Sequence, residues 1–177
     1  GSEMCIRDRS MRLSDDGGNL AATLQTIIET GNVPVESLID DAFPASELHI
    51  HTDGALFDVA LTQPGMLRPL RAAELSDGTL RYLMLLAALH APRPPALLAL
   101  NEPEHSLHRS LIAPLARMII EASAETQVIV VTHSDELAAA LALGPDTEHI
   151  HLTKDMGETQ VEGQGLLSKP QWEWGRR

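Results

Sequence analysis

Aromatic side chains are scarce in this 177-residue chain, with Phe, Tyr and Trp together at 3%. A core built without them has to be aliphatic, and 44% hydrophobic residues supply enough Leu, Ile, Val and Ala to fill one. Cysteine occurs once, at Cys5, which excludes an internal disulfide and fits a reducing compartment. Basic residues are also few: 13 against 25 acidic ones, for a net charge of −12. A surface that acidic repels phosphate backbones at long range and argues against a nucleic-acid grip formed by this chain alone. It leaves room for a bound nucleotide, which needs only local donors and a metal. No apolar run reaches the roughly 18 residues of a membrane span. The longest, Tyr82 to Leu89, is followed by His90 and prolines, and no secretory h-region lies near the start. These absences predict one soluble, cytoplasmic domain with no membrane partner.

What is present divides the chain into four stretches. Residues 1–10 (GSEMCIRDRS) carry no period and open on Gly1-Ser2, so they read as a non-native or misread extension. Residues 11–74 read as a helix plus an antiparallel hairpin. Ser14-Asp15-Asp16 offers caps for a helix over Asn19 to Thr30, with Leu20, Leu24, Ile27 and Ile28 as its stripe and Gly31-Asn32 as its end. Val35 to Ile39 adds a short helix. Residues 48–52 and 56–61 alternate around the turn signal Asp53-Gly54, and Leu67 to Glu74 leads on as an extended segment. Residues 75–164 read as α/β. Helices are expected over Gly78 to His90, Leu107 to Ser123 and Glu136 to Leu143. The continuous apolar runs 96–100 and 128–131 read as strands buried on both faces. A closing hairpin is expected over Glu148 to Thr153 and Glu158 to Val161. Residues 165–177 form a tail containing Trp172 and Trp174.

Three short segments fall where an α/β sheet places its chemistry, beyond the C-terminal ends of strands. Asn101-Glu102-Pro103-Glu104 follows the first run, and a carboxylate there either acts as a general base on water or belongs to an ordinary turn. Thr132-His133-Ser134 follows the second; its imidazole either donates to a phosphate oxygen or serves structure alone. Leu75-Ser76-Asp77-Gly78-Thr79 opens a helix, with Ser76 as N-cap and Gly78 allowing close approach of a ligand to the backbone.

In that order, from about Leu75 to Leu141, these segments resemble the ABC-type ATPases of the SMC/RecF-like lineage, among bacterial AAA-family ATPases. The resemblance implies a partial P-loop-NTPase fold, with a mainly parallel core sheet flanked by helices and added antiparallel hairpins. It implies ATP and Mg2+ as cofactors. Residues 96–102 resemble a Walker B strand, with Glu102 as the catalytic carboxylate and Asn101 where the metal-holding Asp usually stands. Ser76, Asp77 and Gly78 resemble the signature motif that meets a nucleotide held by a second head. Glu104 to His108, with Ser106 and His108, resembles the D-loop across the dimer interface, and His133 resembles the switch histidine. The implied partners are a second ATPase head, as a homodimer, or an N-terminal lobe, with DNA or a nuclease-like module attached.

Two departures stand out. Asn101 brings no negative charge, so Mg2+ binding is expected to be weaker or compensated elsewhere. The only lysines, Lys154 and Lys169, follow no glycine-rich turn, so no P-loop is legible. The chain is therefore expected to be the C-terminal half of an ATPase, inactive alone. Because the P-loop strand is taken to neighbour the Walker B strand, an exposed apolar strand edge and aggregation are expected. The rival reading is a non-catalytic lobe that docks on an intact ATPase. A weaker alternative is zinc held by His49/His51 and His149/His151 on strands or His105/His108 on a helix face. Arg68, Arg71 and Arg81 flank the signature helix and either face a phosphate or partner or, as the default, form solvated surface.

Overall fold

Leu20, Leu24, Ile27 and Ile28 recur at helical spacing, and helix α1 (Leu20–Thr30) forms on them. It ends at Gly31, whose φ of 66° is the left-handed conformation that side chains resist. The computed structural model describes residues 11–14, 17–53, 56–155 and 158–162. The proposed extension at 1–10, Asp15, Asp16, Lys169 and the two tryptophans therefore lie outside the described residues. The N-cap of α1 is Asn19 rather than Ser14. The Asn19 Oδ1 accepts instead from the Ser14 N–H and hydroxyl at 2.7 and 2.9 Å, folding the preceding segment back onto the helix. Helix α2 (Val35–Ala42) runs past Ile39 because Ala42 continues the buried face of Val35, Leu38 and Ile39.

Strands β1 (Glu47–Asp53) and β2 (Leu56–Thr62) pair antiparallel, with Glu47 opposite Thr62 and Asp53 opposite Leu56. Residues 67–74 are not one extended segment. They form a two-residue strand, β3 (Leu70–Arg71), on the edge of β2, and then a 3-10 turn (Ala72–Glu74). The cause is Glu74, whose carboxylate turns back to accept from the Arg71 N–H at 3.1 Å and from two Arg68 nitrogens at 2.8 and 2.6 Å. The hydrogen bonds from the Arg68 guanidinium hold that acid down to about 2.

The second half runs α3 (Asp77–Leu89), β4 (Leu97–Asn101), a 3-10 turn (Arg109–Leu111), α4 (Ile112–Ala122), β5 (Gln127–Val131), α5 (Asp135–Leu141) and the hairpin β6 (Leu152–Asp155) with β7 (Glu158–Val161). Strands β4 and β5 are parallel and in register from Leu97–Gln127 to Asn101–Val131, so their C-terminal ends lie side by side. Two expectations are corrected. The helix anticipated from Leu107 begins only at Ile112. Extended His108 (φ −67°, ψ 144°) caps the intervening 3-10 turn, and Pro114, which lacks an N–H, falls in the first turn of α4 where none is needed. Nor are the strands buried on both faces. Leu98, Leu100, Val128 and Val130 pack on the core, whereas Leu97, Ile129 and Val131 on the opposite face are 50%, 47% and 49% exposed.

One hydrophobic cluster joins α1, α2, β2, α3, α4 and α5, with Leu24, Ile39, Leu61, Leu83, Leu115 and Leu137 among its buried members. An Arg117–Asp41 pair, at 2.7 Å, fastens α4 to α2 from outside. Among the described residues β4 and β5 pair only with each other, leaving an outer edge on each strand as well as the apolar face. Edges and apolar patches of this kind invite association. The purified chain is expected to self-associate in light scattering, and a Leu97→Thr/Ile129→Thr double variant is expected to do so markedly less. A sharply unfolding monomer of the parent would contradict this.

Candidate active site

The chemistry-bearing residues collect where β4 and β5 end. The Glu102 N–H donates to the Val131 carbonyl at 2.8 Å, extending the ladder past Asn101. There the chain turns sharply. Glu102 has φ 44° and Ser106 has φ 65°, left-handed conformations that cost a side-chain-bearing residue on the order of 1 kcal/mol or more. The His105 N–H bonds the Glu102 carbonyl and the Leu107 N–H bonds the Glu104 carbonyl, both at 3.0 Å, closing the turn.

From the neighbouring strand end, the His133 Nε2 comes within 3.3 Å of the Glu102 Oε1. The imidazole is 86% exposed and the carboxylate 40%, so the pair opens to solvent. A second link lies beside it: the Thr132 hydroxyl donates to Glu104 Oε1 and accepts from the Ser134 N–H at 2.9 Å. Glu104 Oε2 is buried and has no hydrogen-bond partner among the described residues. The Ser134 hydroxyl in turn caps α5 through the Leu137 N–H at 3.1 Å. The turn after β5 is thus fixed at both ends, which sets the direction of His133. Asn101 is exposed, on the open face of the sheet.

The start of α3 closes a third side. The Ser76 Oγ accepts from the Thr79 N–H at 3.1 Å, as an N-cap does. Asp77 is exposed in the first turn. Gly78 is also needed for packing: a Cβ there would stand 2.7 Å from the Ser106 carbonyl oxygen. The glycine lets helix and turn pack backbone to backbone. His108 faces its own chain, its Nδ1 bonding the Ser110 hydroxyl at 2.8 Å. The structure thus gathers Asn101, Glu102 and His133 at one edge and joins Gly78 to Ser106, while His108 serves as a cap.

Other clusters resolve differently from expectation. His105 and His108 share no helix face, because both precede the first helical turn. The His149 and His151 rings stack at 6.2 Å, but both residues lie before β6 rather than within a strand. His49 and His51 stack at 6.3 Å, with His49 bonded to the Thr62 hydroxyl. Among the described residues no group of three or more His, Cys, Asp or Glu is placed to hold a metal ion. Arg68 is engaged by Glu74, and Arg71 lies 3.9 Å from Asp58. Arg81 is not simply solvated: it is half-buried and points at the turn after β4. Sequence reading missed that contact and the Thr132–Glu104 link, since neither follows a period or a fixed spacing.

With this geometry in view, the fold is that of an SMC-type ATPase head, a partial P-loop-NTPase fold with a parallel pair and antiparallel hairpins. A structure from work on ATP-driven dimerization and DNA-stimulated activation of SMC ATPases matches at 16% identity and a TM-score of 0.57, over 82% of this chain and 91% of that one. The Smc head domain with coiled coil and joint from Pyrococcus yayanosii matches at 18% identity and 0.62, over 81% of this chain and 28% of that one. The SMC head domain from Thermotoga maritima matches at 20% and 0.53, over 80% and 51%. The chain thus spans about half or less of the latter two. Residues 15–139 match the family described as "AAA domain, putative AbiEii toxin, Type IV TA system", and the chain belongs to that family. No curated protein matches. No described helix is long and apolar enough to cross a membrane.

Proposed function

We propose that this chain is the C-terminal lobe of an ATP-hydrolysing, SMC/RecF-like ATPase, working at the interface of two heads. The pairing of Glu102 with His133 across adjacent strand ends, at 3.3 Å, carries the reading. A carboxylate open to water, yet set in an apolar sheet, suits proton abstraction from that water. His133 holds the carboxylate in place and offers a donor toward a phosphate oxygen. Ser76, Asp77 and Gly78 belong, in this reading, to the site of the facing head, with Ser106 and His108 along the same interface.

The residues fit ATP and Mg2+ in part. The solvent-open carboxylate–imidazole pair and the unpartnered buried oxygen of Glu104 suit the water-activating side of a triphosphate site. Asn101 would hold Mg2+ only through a metal-bound water, and Mg2+ when bound supplies neutralisation of phosphate charge. No lysine after a glycine-rich turn is present to grip the β- and γ-phosphates. The gripping lobe is therefore assigned to another stretch of polypeptide. A cytoplasmic location, a second copy as the facing head, and DNA or a nuclease-like module as the driven partner go with this reading.

The chain alone is expected to show no Mg-ATP hydrolysis above background, and to hydrolyse when joined with a lobe bearing a Gly-Lys-Ser/Thr loop. Steady hydrolysis by the 177-residue chain, abolished by Glu102→Gln, would overturn the half-site account. Asn101 favours one competing reading, a non-catalytic lobe that regulates an intact ATPase. Its signature is an assembly whose turnover ignores Glu102→Gln.

A further inference from the structure

Arg81 projects from the second turn of α3 toward the end of β4. Its Nη2 donates to the Glu102 carbonyl at 3.0 Å and its Nε lies 3.4 Å from the Pro103 carbonyl. Among the described residues it forms no ion pair, so its charge is directed at two backbone oxygens. The Glu102 carbonyl already accepts from the His105 N–H, and Arg81 supplies its second donor. Pro103 is buried and has no N–H to hold its own position. Glu102 meanwhile sits at φ 44°, a conformation that persists only where its surroundings impose it. A planar guanidinium, with donors in a fixed fork, is suited to gripping two carbonyls at once; an ammonium is a single point.

We infer that Arg81 is a positioning residue for Glu102: it holds the strand-end turn so that the carboxylate meets His133, and it ties that turn to the helix that begins at Ser76–Gly78. The Gly78–Ser106 contact makes the same connection four residues further along the turn. The start of α3 and the Glu102 turn are therefore one mechanical unit. A displacement of the signature segment by a facing head is passed to the carboxylate of the same chain. That consequence rests on the ATPase reading; the positioning itself does not.

The test is amide hydrogen exchange on the purified chain. Arg81→Ala removes a charge-assisted hydrogen bond and is expected to speed exchange at His105 and Glu102 by about tenfold to a hundredfold, with Ile129 and Val130 unchanged. Arg81→Lys, which keeps the charge and most of the stem, is expected to recover part of the protection. It also decides the question if the alanine variant fails to fold. Exchange at His105 and Glu102 equal to the parent's, or acceleration spread evenly over β5, would overturn the inference. In an ATP-hydrolysing assembly, Arg81→Lys is expected to lower kcat about tenfold with KM for ATP unchanged, because the nucleotide grip is untouched. An unchanged kcat there overturns the inference. A parent assembly without Glu102-dependent turnover overturns the ATPase reading instead, and the exchange result still decides on Arg81.

Discussion

Glu102→Gln is expected to lower ATP turnover by the complete assembly about 10²–10⁴-fold, the range associated with loss of a positioned general base. The substitution keeps the shape of the side chain and the backbone turn at φ 44°, so the hydrogen bonds from His105 and Arg81 to its carbonyl remain. What disappears is the carboxylate's capacity to take a proton and its charge beside His133. Nucleotide affinity is therefore expected to persist, and ATP to remain bound without being cleaved. The measurement is single-turnover hydrolysis alongside equilibrium binding of ATP to the parent and the variant. A variant that loses binding and turnover together would mean that Glu102 supports the fold of the site rather than its chemistry.

The second large effect concerns Tyr82, at the heart of α3. Its side chain is fully buried, with the Phe43 ring edge-on at 5.4 Å. Burial also pushes the pKa of its hydroxyl well above the ordinary phenol range, making it a weaker acid. Tyr82→Ala is expected to cost about 3–5 kcal/mol, the usual toll for emptying an aromatic-sized space in a core. Its hydroxyl, however, is buried and has no hydrogen-bond partner among the described residues. Tyr82→Phe is accordingly expected to be neutral or stabilising by about 1 kcal/mol, since it removes an unsatisfied polar atom and keeps the ring. Urea unfolding of the parent and both variants measures the contrast. A phenylalanine variant as weak as the alanine one would show that the hydroxyl has an essential partner.

The parts of this molecule written in local chemistry could be read directly. Strand β4 ending at Asn101 and followed by Glu102, β5 followed by Thr132-His133, and Ser76 capping α3 each lie within a few residues of their own signal. The parallel pairing that brings Glu102 to His133 follows from a helix between two apolar runs. The rest depends on neighbours distant in sequence. An apolar run such as 97–100 looks the same whether its second face is covered by its own chain or left open, so the half exposure of β4 and β5 was illegible. The late start of α4 turns on a His108–Ser110 hydrogen bond that helical periodicity cannot reveal. The reach of Arg81 to backbone oxygens at 102 and 103 leaves no trace in side-chain spacing. The hydrogen bond from the Thr132 hydroxyl to Glu104 joins two segments 28 residues apart and is equally invisible to a linear motif.

The contact between Gly78 and Ser106 bears on how this sequence can drift. The atom crowding position 78 is a backbone oxygen, which every amino acid carries, so exchanging the residue at 106 relieves nothing and 78 admits only glycine. Position 106 is constrained in shape but not in chemistry: with φ at 65° it would welcome glycine or asparagine as readily as serine. Two touching positions thus evolve under unequal licence, one frozen and the other free to vary within a narrow alphabet.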